Sequence, residues 1–175
     1  MSWYKTAAGR NPFCVGILIG LLCLPVGGCL QPLYGGVNDR LSEELRAISI
    51  DPIPDRIGHY LANELAFAFN GTGSDVHPKY NLHVSLSQKA QTPLVDTFAG
   101  RASAATLYVE AAYKLVTVDT GQLIAEGVAS NLASYDRTAQ RFANLRAARD
   151  AEIRNAKALA DQIRLRISVA LTKSR

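Results

Sequence analysis

Phe142, Leu145, Ile153, Ala156, Ala160, Ile163, Ile167 and Ala170 fall within one arc of a helix turned at 100° per residue. An apolar stripe of that length, within residues 137–173, has to be buried against another layer, and it constrains the fold more than any other segment. Arg149 lies inside the arc, which predicts that the helix starts or bends near it. Arg146, Lys157 and Arg164 gather on a flank, where their stems can lie on a sheet's rim while the charges stay in water. A shorter stripe, Ile57, Leu61, Leu65 and Phe69, recurs at spacing four. Asp55 offers an N-cap carboxylate for that helix, and Asn70-Gly71 offers its stop.

Between the helices the period changes to two. Tyr80, Leu82, Val84 and Leu86 alternate with Asn81, His83, Ser85 and Ser87, giving a strand with one dry face. Leu107, Val109, Ala111, Tyr113 and Leu115 mark a second such strand over Ala105–Val118. Asp119-Thr120-Gly121 then makes a hairpin to a strand from Gln122 to about Ser134, in which Gly127 predicts a bulge or a close backbone approach. Leu45, Ala47, Ile48 and Ile50 suggest a short first strand ended by Pro52-Ile53-Pro54. Residues 89–103, with Pro93 and Gly100, read as a long loop, extended in part. The expected fold is α+β in two layers. Two amphipathic helices pack on one face of a mixed four-stranded sheet, in the order β-α-β-β-β-α, and the other face is wet or meets a partner.

The N-terminal stretch has a different grammar. Lys5 and Arg10 precede an apolar run from Phe13 to Leu24, shorter than the roughly 20 residues of a spanning helix. Gly27 and Gly28 follow, then Cys29 and the turn-forming Leu30-Gln31-Pro32-Leu33-Tyr34-Gly35. Small residues before a cysteine resemble a bacterial lipoprotein box, with Val26 in place of the more usual leucine. The resemblance implies cleavage before Cys29 and acylation of its sulfur; an uncleaved anchor or a plain secretory signal shares the upstream pattern. The expected division is a signal segment over 1–28, a tether over 29–44 and one α+β domain over 45–175. Cleavage would remove Cys14 and Cys23 and leave no internal disulfide, which a domain of this size does not need.

The net charge of +4 is unevenly spread. Residues 29–136 carry 7 Lys/Arg against 12 Asp/Glu, and residues 137–175 carry 10 against 3. Such a basic end fits an anionic partner or the protein's own acidic body. Nucleic acid is disfavoured for an exported chain, and phosphate-bearing lipid is the more natural anion. His59, His77 and His83 form no metal or nucleophile pattern, and Gly71-Thr72-Gly73-Ser74 lacks the lysine of a phosphate loop. The expectation is therefore a non-enzymatic chain with no catalytic residue, metal or cofactor. Lys89 and Arg101, bracketing the long loop, and Arg137 and Arg141, just past the sheet, are the candidates for holding phosphate. For each of them a solvated surface charge is the alternative.

Cys29-Leu30-Gln31-Pro32-Leu33-Tyr34-Gly35, Asp55-Arg56-Ile57-Gly58-His59-Tyr60-Leu61-Ala62-Asn63-Glu64-Leu65, Ala111-Ala112-Tyr113-Lys114-Leu115 and Ala143-Asn144-Leu145-Arg146-Ala147-Ala148-Arg149-Asp150-Ala151-Glu152-Ile153-Arg154, with Leu159-Ala160-Asp161-Gln162-Ile163-Arg164, together resemble the lipopolysaccharide-assembly lipoprotein family (LptE-like) in its alphaproteobacterial form. The resemblance spans nearly all the chain after Cys29. It implies a lipid-anchored protein on the periplasmic face of the outer membrane. Such proteins plug and help assemble a large β-barrel translocon (LptD-like) and bind lipopolysaccharide on its way to the cell surface. An auxiliary lipoprotein of a periplasmic lipid or solute ABC transport system is the alternative.

Overall fold

The structure, a computed structural model, describes residues 37–71, 76–96 and 101–173; Cys29, the segment before it and its acylation lie outside them. The chain divides into two units, Met1–Asn38 and Asp39–Arg175, and the second holds the whole sheet. Its elements are helix α1 (Val37–Arg46), strand β1 (Ile48–Ile50), helix α2 (Asp55–Asn70), strands β2 (Tyr80–Asp96), β3 (Arg101–Thr117) and β4 (Leu123–Asp136), and helix α3 (Arg141–Lys173). The sheet order is β1-β2-β3-β4, with β1 parallel to β2 and the others antiparallel. This is the expected α+β fold with a mixed four-stranded sheet, preceded by one more helix.

That helix, α1, occupies residues expected to be irregular tether. Pro32, Gly35 and Gly36 precede it, and from Val37 onward no residue breaks a helix. Its last turn is pinned to the start of β2. Leu45 is buried, and the Glu44 carboxylate accepts from the Tyr80 hydroxyl at 2.8 Å and pairs with Lys79 at 3.4 Å. Strand β1 shrinks to three residues as a result.

The largest difference concerns residues 89–103. Of these, residues 89–96 and 101–103 continue the β2–β3 ladder, with Lys89 opposite Tyr108, Gln91 opposite Thr106 and Asp96 opposite Arg101. The register is irregular only between Gln91 and Val95, around Pro93, whose missing N–H cannot join a ladder. Both strands reach 17 residues, on the order of 55 Å.

Each helix end has a local cause. Pro54 occupies the N-cap of α2 and makes no side-chain cap bond, so Asp55 does not cap as expected; it opens the helix with φ of 70°. Aspartate is among the few residues that tolerate this conformation, and its charge suits the positive end of the helix. Gly71, at φ of 56°, donates its N–H to the Phe67 carbonyl and closes α2. Helix α3 begins at Arg141, four residues later than expected. The Thr138 hydroxyl accepts from the Gln140 N–H, and the Asn144 amide brackets the Thr138 backbone at 2.7 and 2.8 Å. The helix then runs through Arg149 as one continuous element.

The core lies between the sheet and both long helices. Leu61 and Leu65 of α2, Leu82, Val109 and Leu115 of the sheet, and Leu159, Ile163 and Ile167 of α3 are fully buried. Gly127 sits opposite Tyr113, and a Cβ there would meet the Tyr113 hydroxyl oxygen at 2.9 Å; the glycine marks a close approach, while the irregularity in the ladder falls between Leu115 and Val116. Gly58 is tighter, since a Cβ would stand 2.8 Å from both Cγ2 and the carbonyl oxygen of Ile53. Alanine in a helix interior normally gains about 1 kcal/mol over glycine. Here the obstacle includes backbone, so Gly58→Ala is expected to destabilise by about 1–3 kcal/mol, read as a lower denaturant midpoint.

Candidate functional site: the overhang of α3

The two long helices differ in length. Helix α2 has 16 residues and α3 has 33, about 24 and 50 Å at 1.5 Å per residue. They meet where Arg56, in the first turn of α2, grips Glu152 of α3 through two parallel bonds of 2.8 and 2.6 Å. The Glu152 hydrogen bond, and then its charge, raise the Arg56 pKa above its ordinary value, so the guanidinium stays charged at any physiological pH. Upstream of Ala151, α3 has no buried residue.

Helix α3 buries two stripes. Ala151, Asn155 and Leu159 recur every four residues, and Asn155 faces the sheet, donating to the Leu107 carbonyl at 2.9 Å and accepting from Asn131 at 2.8 Å. The stripe through Ala156, Ala160, Ile163 and Ile167 is then turned toward α2. Its upstream continuation is Phe142, Leu145, Arg149 and Ile153, beyond the point where α2 begins. The three apolar ones belong to the arc expected to be buried, yet Phe142 is 82% exposed, Leu145 59% and Ile153 41%. The apolar pattern is intact, and among the described residues no layer covers it.

Arginines are interleaved with this bare stripe. Phe142, Leu145, Arg146 and Arg149 line a hollow of about 210 Å³, and Arg146, Arg149, Asp150 and Ile153 line one of about 280 Å³. Beneath the overhang a cleft of about 370 Å³ opens between α3 (Ala148, Glu152) and the sheet (Gln88, Ala90, Leu107, Tyr135). Asp150 is held by Arg154 and Glu152 by Arg56. Among the described residues Arg141, Arg146 and Arg149 have no carboxylate partner. A surface of exposed apolar side chains with unpaired arginines suits a molecule that is both greasy and anionic.

The four anticipated basic residues are only partly gathered. Arg137 and Arg141 lie at the start of the overhang, just past the end of β4, as expected. Lys89 projects from the open sheet face in the row Lys89–Tyr108–Leu132, away from the helix layer. Arg101 opens β3 at the far end of the hairpin, and its side chain is outside the described set. The arginines in the hollows, Arg146 and Arg149, were not among the anticipated site residues. The signal was present in the sequence as a charge inside an otherwise apolar arc.

Other chemistry finds little support. Among the described residues no group of three or more His, Cys, Asp or Glu side chains could hold a metal ion, and no helix is long and apolar enough to cross a membrane. His83 pairs through Nδ1 with the Asp51 carboxylate on the surface.

Comparisons locate the fold among solved structures. No family model matches the sequence, and no curated protein matches it. A crystal structure described as a lipoprotein from Caulobacter crescentus CB15 is similar over 77% of this chain and 98% of its own, with 22% identity and a TM-score of 0.65. A minor lipoprotein from Acinetobacter baumannii is similar over 70% of this chain and 90% of its own, with 17% identity and a TM-score of 0.50. At such identities the likeness establishes a shared architecture: this chain has the fold of solved bacterial lipoproteins.

Proposed function

We propose that this chain is an envelope lipoprotein, anchored through acylated Cys29 to the periplasmic face of the outer membrane, that works without enzymatic chemistry. In this reading it is the LptE-like subunit that plugs and helps assemble an LptD-like β-barrel translocon and binds lipopolysaccharide in transit. The observation that carries the lipid-handling part is the overhang of α3, where exposed Phe142, Leu145 and Ile153 alternate with unpaired Arg146 and Arg149. Guanidinium groups pair bidentately with phosphate, and neighbouring apolar side chains accept acyl chains. The lipoprotein neighbours and the sequence resemblance support the assignment to the envelope.

Charge reversal tests the lipid site. Arg146→Glu combined with Arg149→Glu is expected to weaken lipopolysaccharide binding by about tenfold to a hundredfold and to flatten its salt dependence. Unfolding midpoints should hardly move, because both side chains are exposed. Lys89→Glu with Arg101→Glu is the companion pair, and it tells whether the open sheet face and hairpin end share the binding. Unchanged binding in both double variants would remove lipopolysaccharide from the reading. Purification of the tagged full chain in mild detergent tests the partner: a large outer-membrane barrel supports the assignment, and an inner-membrane ATPase complex favours the ABC-transport alternative.

A further inference from the structure

Arg146, Lys157 and Arg164, expected along the rim of the sheet, stand on the opposite side of α3. Counted at 100° per residue from Asn155, which faces the sheet, Phe142, Arg146, Arg149, Ile153, Lys157 and Arg164 fall between about 120° and 200°. All six are exposed, and among the described residues none of the four cations has a carboxylate partner. Within α3 no carboxylate shares the arc. Asp150, held by Arg154, and Asp161 lie further round toward β4, and Glu152 lies on the α2 side, held by Arg56. Phe67 of α2, 69% exposed, follows Arg56 by eleven residues and so shares the side of α2 that reaches α3. The outer surface of the helix pair is thus a row of cations with large apolar side chains among them. From Arg146 to Arg164 the row runs about 27 Å at 1.5 Å per residue, strung along the helix instead of converging on one point.

We infer that this face lies on the anionic surface of the phospholipid bilayer that holds the anchor. The inference rests on the acylation of Cys29 in the proposed function, and not on lipopolysaccharide. The ten residues from Leu30 to Asp39, where the folded unit begins, reach at most about 35 Å, less than the length of α3. An acylated chain therefore keeps its folded unit within reach of the membrane and raises the effective concentration of whichever face fits it. A strung-out row suits a planar array of phosphates, whereas one headgroup would be met by converging side chains. Exposed aromatic and aliphatic side chains among cations are the pattern of a helix lying in the membrane interface. A basic patch beside a lipid anchor is also the second signal that makes such binding firm. The open face of the sheet does not match, because Lys89 and Lys114 there are offset by Glu110 and Glu126.

The sequence has one tryptophan, Trp3, which precedes Cys29 and leaves with the signal segment, so a tryptophan placed on the folded unit reports alone. The chain, produced with its anchor, is reconstituted in vesicles of equal parts phosphatidylcholine and phosphatidylglycerol with brominated acyl chains. Phe142→Trp is expected to shift its emission to the blue and to lose most of it to the bromine. Leu132→Trp, on the open sheet face, should emit as a water-exposed indole and lose little. Lys157→Glu with Arg164→Glu, added to the Phe142→Trp chain, should return its emission to that of Leu132→Trp. These two cations line neither hollow of the overhang, so the variant reads docking and not lipopolysaccharide binding. Docking is overturned if Phe142→Trp is quenched no more than Leu132→Trp, if brominated phosphatidylcholine alone quenches it equally, or if the double reversal changes nothing. Mass spectrometry of the same sample separates the two readings: an acylated Cys29 without quenching removes the docking alone, and an unmodified Cys29 removes the anchor and the docking together. Should the double reversal fail to fold, the two tryptophan positions decide alone.

Discussion

Ile163→Ala is expected to lower the unfolding free energy by about 2–5 kcal/mol, and Phe142→Ala, further along the same stripe of α3, by less than about 0.5 kcal/mol. Ile163 is 0% exposed, and its truncation removes contacts and leaves a cavity between the helix and its neighbours. Phe142 is 82% exposed, so its truncation loses little that folding had gained. Equilibrium urea unfolding of both variants reads the contrast directly. Equal losses at the two positions would mean that a further layer covers the overhang in the isolated chain. Against a typical domain stability of about 5–15 kcal/mol, the first change consumes a large share and the second is nearly silent. The silent substitution is then the right probe of binding, because any effect on lipid affinity cannot be blamed on unfolding.

Asn155→Ala is expected to cost about 2–4 kcal/mol, unusual for a residue with no apolar surface to lose. Asn155 is the buried polar side chain of the described core, and its amide joins the Leu107 carbonyl of β3 to the Asn131 side chain of β4. Truncation strands two polar groups in a dry layer and opens a small void. The double variant Asn131→Ala/Asn155→Ala should cost less than the sum of the single ones, because each single variant already breaks the bond between them. Full additivity would show that the two amides act separately. A role in setting helix register follows as well, since Asn155 fits opposite Leu107 and Asn131 at one position along the strands.

Periodicity made the strand faces legible. Leu107, Val109, Ala111, Tyr113 and Leu115 share the dry face that their alternation required. The helix stripes were equally plain, but a stripe shows only that a face is apolar and not what covers it. Phe142, Leu145 and Ile153 fit the pattern and lie in the open because α2 is half as long as α3. That mismatch could be read from the two segment lengths. Arg149 pointed the same way, since an arginine in a buried arc would lose its hydration without a partner. Residues 89–103 failed for a different reason. Lys89, Ala90 and Gln91 are exposed whichever face of β2 they occupy, and alternation fades when neither face is dry. Asn155 was hidden because its bonding partners are 24 and 48 residues away in the chain.

Arg154 donates to the Ser134 carbonyl, Gln162 to Ser130 and Arg166 to Val128, so side chains of α3 close the outer border of β4. A border whose outward carbonyls are already taken offers a further strand few acceptors to pair with. Edge-to-edge growth along β4 is thereby disfavoured.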